Sequence, residues 1–532
     1  MITTALQNNF RKHKPGSLAL FASLIAIITV LPLMFVLAYG LNLSLSEWIS
    51  LWDLRIPKLL WNTLLLALVV TVFSLILGVS TAWIVARKEF VGRKVALWLL
   101  LLPLTIPTYV FAHIYTTLLE DDGWLGQLWH FLFGIDALTP DLSNVIGVAF
   151  ILSLAGFSYI FLLVRASLCH STQHLEEAAR IQGASAKRVF FAVNLPLMRP
   201  AIAAGLAVII LHVLSDFGAV SMLRYQTFTL SIYNQMSGRM DYSGAAGLSF
   251  VLVILSLSFL TLERFFRKRQ RYFSRSQRKF VERTPASKSQ LIFIWLWLGL
   301  ITVFSFLLPL GWMISWSWEA WKNDLIDSEF WQYCFNSGVI CFSAATIALI
   351  AAFPIAFFHK RQNSLLSQSY LHMSSIGFAL PGPVIALGLL SLILSQLPFL
   401  YGTLTALIIA MVIRFFPLAV QSQESALQQL TPSIEEAGRV FGARPLENLR
   451  RVILPVIQGG MASAWVLVFI DALKELPATL ILRPTGFDTL PVRIWIEASE
   501  EMLELAAPAA LMLVAGTLPA IWIMRKSEKF NE

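Results

Sequence analysis

The sequence predicts an all-α polytopic membrane protein of about 12 transmembrane helices, arranged as two parallel six-helix repeats. Three observations carry that expectation: the composition, the length of the apolar runs, and an internal duplication that includes polar loops as well as spans. Of 532 residues, 57% are hydrophobic and only 13% charged, and the mean hydropathy is +0.71. Soluble domains carry about 25% charged residues, so lipid is the natural solvent for this chain.

Each span needs about 20 apolar residues to cross roughly 30 Å of hydrocarbon. The first candidate, 18–42, follows Arg11, Lys12 and Lys14. It is too long for a cleavable signal and no small-x-small site closes it, so it is expected to remain as a span. The next, 59–86, ends on Arg87, Lys88, Arg93 and Lys94, and 95–118 leads into a loop bearing Glu120, Asp121, Asp122, Asp136 and Asp141. Runs at 145–168, 200–223 and 244–266 complete the first set, and the basic stretch from Arg267 to Lys288 follows. The second set falls at 291–316, 334–358, 370–395, 401–421, 457–482 and 505–524, with Glu319, Asp324, Asp327 and Glu329 after its first member. Basic loops mark the cytoplasmic side, so basic and acidic loops alternate across the membrane and both termini are expected in the cytoplasm. Most of the net charge of +9 is thereby topological, and it does not indicate nucleic-acid binding. Cys169, Cys334 and Cys341 are scattered without metal-ligand spacing and read as small buried hydrophobes.

The duplication divides the chain into halves at 1–285 and 286–532, joined by a basic, Ser-rich linker at 267–289 that contains Pro285. The loop 172–196 returns 259 positions later as 431–455: Thr172, Glu176, Glu177, Ala178, Arg180, Gly183, Ala184, Val193, Leu195 and Pro196 all recur identically. Upstream the offset is 274, pairing Asn62 with Asn336, Pro107 with Pro381, Val110 with Val384 and Ala112 with Ala386. The first half therefore holds a net insertion of 15 residues, placed by its composition in the outer loop at 121–141. Six spans per half is an even number, so both repeated loops face the cytoplasm.

Each loop reads as a short helix. In the second copy Thr431 caps it, Pro432 suits its first position, and Glu435 and Glu436 favour the positive end of its dipole. Gly183 and Gly442 supply the stop. Small Ala178 and Ala437 beside Ile181 and Val440 would let a partner groove approach closely, with the glutamates fixing its orientation.

Glu177-Ala178-Ala179, Gly183 six residues after Glu177, and Leu195-Pro196 resemble the Glu-Ala-Ala loop of type I ABC importer permeases. The second copy, Glu436-Ala437-Gly438 with Gly442, departs from that pattern only in Gly438. The resemblance implies the type I permease fold, in which this loop is a coupling helix lying in a groove of an ATP-binding subunit. It further implies two copies of a cytoplasmic ABC ATPase carrying ATP and Mg2+, no cofactor on this chain, a periplasmic substrate-binding protein, and a bacterial inner membrane. Asp471 to Thr479, Leu482-Arg483-Pro484 and Phe487 to Leu490, with Ser215 to Val220 and Gln226 to Thr229, are similar to ferric-iron permeases. Fused permeases for thiamine and for phosphonates share the layout and stand as the alternative. The chain lacks the G-x-x-x-x-G-K-[ST] phosphate loop, so it is not itself the ATPase. An ion-coupled secondary transporter would have no use for two docking loops.

Ionisable groups at membrane depth are functional candidates by default. Asp216 and Glu475 are equivalent under the 259 offset, as are His212 and Asp471 four residues earlier. Two acids facing across a pseudo-twofold axis would suit a hard cation such as Fe3+; alternatively they form ion pairs that fix a gate, with Lys474, Arg224 or Arg483 nearby. Arg414 has only Ala155 as its counterpart and is a candidate partner for one of these acids. Pro107, Pro381 and Pro477 are expected to break helices beside the path.

Overall fold

The computed structural model describes residues 17–135, 137–169, 173–268, 283–362, 364–428, 430–431, 434, 438, 440, 442 and 444–529. Among the described residues nine helices are long and apolar enough to cross a membrane: Leu18–Leu41, Ile56–Arg87, Val145–Cys169, Lys187–Ser215, Tyr242–Thr261, Lys288–Lys322, Ser328–Arg361, Leu404–Gln428 and Leu446–Leu473. The other three predicted positions hold the pair Arg93–Thr105 and Thr108–Leu119, and the shorter apolar helices Gly382–Gln396 and Leu503–Pro519. Their outward apolar side chains, such as Leu20, Leu24 and Ile28 on the first helix and Ile292, Leu296 and Leu300 on the seventh, are exposed, as suits a surface bathed in hydrocarbon.

Four of the predicted spans are not continuous helices. The stretch 95–118 bends by 97° where Pro107 adopts extended backbone, with ψ of 153°. Proline lacks an N–H and pushes the residue before it out of the helical region, and Pro381 breaks 370–395 in the same way, with ψ of 147°. The stretch 200–223 stops as a helix at Ser215 and resumes as Gly218–Met222. Likewise 457–482 stops at Leu473 and resumes as Pro477–Leu482.

Three five-residue π-helical segments, Phe190–Asn194, Val303–Leu307 and Leu449–Ile453, stand immediately before Leu195-Pro196, Leu308-Pro309 and Leu454-Pro455. A proline ring collides with the carbonyl four residues earlier in a regular helix, and widening the turn relieves the collision. The first and third are exact repeats under the 259 offset.

Small residues set the closest helix packing. A Cβ on Gly78 would lie 2.7 Å from Ile160 Cβ and one on Gly205 would lie 3.1 Å from Ile160 Cγ1, so Ile160 is wedged between two neighbouring helices. The equivalent trio in the second half is Ala352, Ala419 and Ala464, all fully buried. Glycine–isoleucine–glycine and alanine–alanine–alanine fill the same interface with similar volume.

The halves exchange their first helices. Gly388 of the second half lies so close to the Pro32 carbonyl on the first helix that a Cβ would overlap it. In return the seventh helix packs on the first half, where the Tyr115 hydroxyl donates to the Phe304 carbonyl within the π-helical turn and Trp312 meets the His113 ring at 5.4 Å. Lys88-Glu89 pairs in parallel with Thr284-Pro285, the end of the linker.

Candidate functional site

A cavity of about 580 Å³ lies between the halves. It runs from Leu97 and Arg165 to the helix breaks at Pro107, Asp216 and Glu475. Asp216, His212, Arg414, Asp471, Lys474 and Glu475 all border it, whereas Arg224 and Arg483, expected near the acids, are not in its lining.

The two acids do the same local work. Asp216 ends its helix, and its Oδ1 accepts N–H bonds from Ala219 at 3.0 Å and Val220 at 3.4 Å. Glu475 Oε1 accepts the Ala478 N–H at 3.1 Å. Each carboxylate thus satisfies orphan donors at the start of the short helix after the break, where the dipole also favours negative charge. The acids' own carbonyls take hydroxyl protons from Thr229 at 2.6 Å and Thr479 at 3.0 Å. At 7% and 4% exposure, neither acid stands free in the cavity.

The second carboxylate oxygen is where the halves differ. Asp216 Oδ2 accepts the Thr108 hydroxyl at 2.5 Å, whereas Glu475 Oε2 pairs with Arg414 Nε at 2.9 Å. Under the 274 offset the counterpart of Thr108 is Gly382, and a Cβ there would overlap Arg414 Nη1 and lie 2.6 Å from Glu475 Oε1. Glycine at 382 therefore makes room for the arginine that replaces Ala155. Thr108 and Gly382 were not singled out in the sequence; pairing them under the offset would have exposed the exchange.

His212 and Asp471 occupy equivalent positions but have different surroundings. His212 has the Tyr159 ring at 6.0 Å, while Asp471 Oδ1 lies 3.2 Å from Lys474 Nζ. Lys474 also donates to the Leu104 carbonyl of the first half at 3.2 Å. Arg483, expected near the acids, instead pairs with Asp488. Among the described residues, no group of three or more His, Cys, Asp or Glu side chains is placed to hold a metal ion.

The first repeated loop forms the helix Gln173–Ile181. Its end is a Schellman turn: Ala184 N–H donates to Ala179 at 3.0 Å, Gly183 N–H donates to Arg180 at 2.9 Å, and Gly183 takes φ of +80°. The helix presents two faces. Glu177, Ala178, Arg180 and Ile181 are exposed, whereas Glu176 is buried and pairs with Arg87 at the C-terminal end of the second span. One of the two glutamates thus faces the protein's own body and not a partner. Arg87 was read only as topological charge, yet its repeat at Arg361 under the 274 offset marks it as part of the unit.

In the second copy Glu435, Glu436 and Ala437 lie outside the described residues. Gly442 has φ of +80°, as Gly183 does. Gly438, the departure from the Glu-Ala-Ala pattern, has a local cause: a Cβ there would overlap Asn448 Oδ1.

Residues 74–272 and 344–530 each match the family described as "Binding-protein-dependent transport system inner membrane component". The chain is 30% identical over 526 residues to the "Fe(3+)-transport system permease protein FbpB 2" of Haemophilus influenzae, covering 97% of this chain and 99% of that one. It is 24% identical over 453 residues to the "Ferric transport system permease protein FbpB" of Actinobacillus pleuropneumoniae, covering 80% and 65%. A half-length relative, the "Molybdenum transport system permease protein ModB" of Haemophilus influenzae, is 31% identical over 236 residues, covering 43% and 93%.

Proposed function

Because the chain belongs to the family of binding-protein-dependent transport system inner membrane components, the multi-pass permeases of ABC importers, we propose that it carries ferric iron inward. ATP hydrolysis resides in separate subunits, and a periplasmic binding protein delivers the cargo. The observation that carries the choice of iron is the 30% identity to a Fe(3+)-transport permease over 97% of this chain. That match spans both halves, so it covers the charged cavity between them as well as the docking loops.

Two ATPases, each with ATP and Mg2+, dock one per coupling helix, with both termini of the permease in the cytoplasm. The exposed face of Glu177, Ala178 and Ile181 seats in the ATPase groove. The buried Glu176–Arg87 pair ties that helix to the second span, so closure of the ATPases moves the span and the first half with it. Asp216 and Glu475 hold the re-entrant segments as rigid blocks, and the blocks form the gate above the cavity. Their engagement by backbone, hydroxyl and guanidinium donors supports a structural role at the gate over coordination of Fe3+.

Uptake of radiolabelled Fe3+, thiamine and a phosphonate by proteoliposomes containing the permease, its ATPase and its binding protein tests the reading. ATP-dependent accumulation of iron alone is the expected result. Accumulation of thiamine or of the phosphonate without iron would overturn the cargo assignment.

A further inference from the structure

Resting on the reading as an ATP-driven importer, we propose that Lys474 and Asp471 form a latch across the interface between the halves, holding the gate shut until the ATPases close. Lys474 is the residue that ends the long helix Leu454–Leu473, one position before the gate acid Glu475. Its ammonium reaches the Leu104 carbonyl of the opposite half at 3.2 Å.

That carbonyl is available for a physical reason. Leu104 sits in the 3-10 turn Leu102–Thr105, and the residue three positions on, which would donate in such a turn, is Pro107, which has no N–H. A freed backbone acceptor at membrane depth must find a donor. Lys474 supplies it with a charge-assisted bond, and Asp471 at 3.2 Å fixes the ammonium in place. The latch is one-sided. The counterpart of Lys474 under the 259 offset is Ser215, whose hydroxyl turns back onto its own helix, donating to Leu211 at 2.8 Å. A second, neutral contact crosses nearby, from Trp495 Nε1 to Ser221 Oγ at 3.3 Å. Rocking the halves apart at the gate breaks both contacts, and the charged one sets the larger share of the resistance.

Nitroxide labels at the exposed cytoplasmic positions Val91 and Leu365, which correspond under the 274 offset, report the separation of the halves in lipid nanodiscs. The background is a chain with Cys169, Cys334 and Cys341 replaced by Ser. Lys474→Met should add a second distance population, an equilibrium shift of about tenfold for loss of one charge-assisted bond. Lys474→Arg should keep the single population. With the ATPase present, Lys474→Met should raise hydrolysis in the absence of binding protein and lower the cargo moved per ATP; a merely structural residue would lower both rates together. An unchanged distance distribution in Lys474→Met overturns the latch. Should that variant fail to assemble, Asp471→Asn, which leaves the ammonium in place but unanchored, must show a smaller shift in the same direction, and no shift there overturns it equally. The distance measurement needs neither ATPase nor cargo, so it stands or falls apart from the assignment of iron.

Discussion

Arg414 and Gly382 are best understood together. The guanidinium occupies the space a side chain at 382 would fill, and it neutralises Glu475, whose side chain is 3% exposed. Removing one member of a buried ion pair leaves an uncompensated charge at a cost of about 3–5 kcal/mol, so Arg414→Ala should lower the thermal midpoint sharply in detergent. A Cβ at 382 would also lie 2.7 Å from Pro477 Cγ, where the first half has Gly218. Adding Gly382→Thr together with Pro477→Gly to Arg414→Ala therefore rebuilds the arrangement of Thr108, Gly218 and Asp216 and should recover part of that loss; a triple variant as unstable as Arg414→Ala would refute the equivalence. Gly438 offers the matching test of packing. Gly438→Ala should destabilise by roughly 1–3 kcal/mol through overpacking against Asn448, and Asn448→Ala in the same chain should relieve it. The sequence marked Arg414, because a lone charge opposite Ala155 is conspicuous. It could not mark Gly382, because a glycine announces flexibility and vacated space with the same letter.

The helix Gln173–Ile181, proposed to dock the ATPase, has two faces, and they predict opposite failures. Glu176→Gln weakens the link to Arg87 while leaving the outer face intact, so the ATPase should still copurify while transport falls by about tenfold, a modest coupling energy. Ile181→Asp puts charge on the outer face, so copurification itself should be lost while the permease stays folded. If both variants lose the ATPase equally, the division into faces is wrong. The helix and its glycine stop were legible in the sequence because capping chemistry is local and the copy repeated it. Which glutamate turned inward was not, since that depends on the helix meeting Arg87 from a segment 89 residues away. The same distinction holds for the spans. The breaks at Pro107, Pro381 and Pro477 announced themselves through proline, while the one after Ser215 has no proline beside it, and only the Asp216 cap reveals why the chain turns there.

The family match falls on both halves, and the duplication was readable from the offsets. The exchange of first helices was not, because an apolar helix carries no label for which half it will pack against. That exchange shapes how the molecule assembles. The first helix meets Gly388 of the second half, and the seventh is held to the first half by the Tyr115–Phe304 bond and by the pairing of Lys88-Glu89 with Thr284-Pro285. Each half thus keeps one helix that completes the other, and the covalent linker adds chiefly effective concentration. A relative such as the molybdenum permease covers only 43% of this chain, which fits a unit that does not need its sister in the same polypeptide. Cutting the chain between Arg275 and Ser276 and co-expressing the pieces should therefore yield a complex that copurifies through a tag on either piece. Each piece expressed alone should aggregate or be degraded, its exchanged helix lacking a partner. Replacing Gly388 by Leu in the second piece should abolish copurification, since the Pro32 backbone then has no room to approach. Stable, monodisperse single halves would show that the exchanged helices are incidental to assembly and that the linker does the joining.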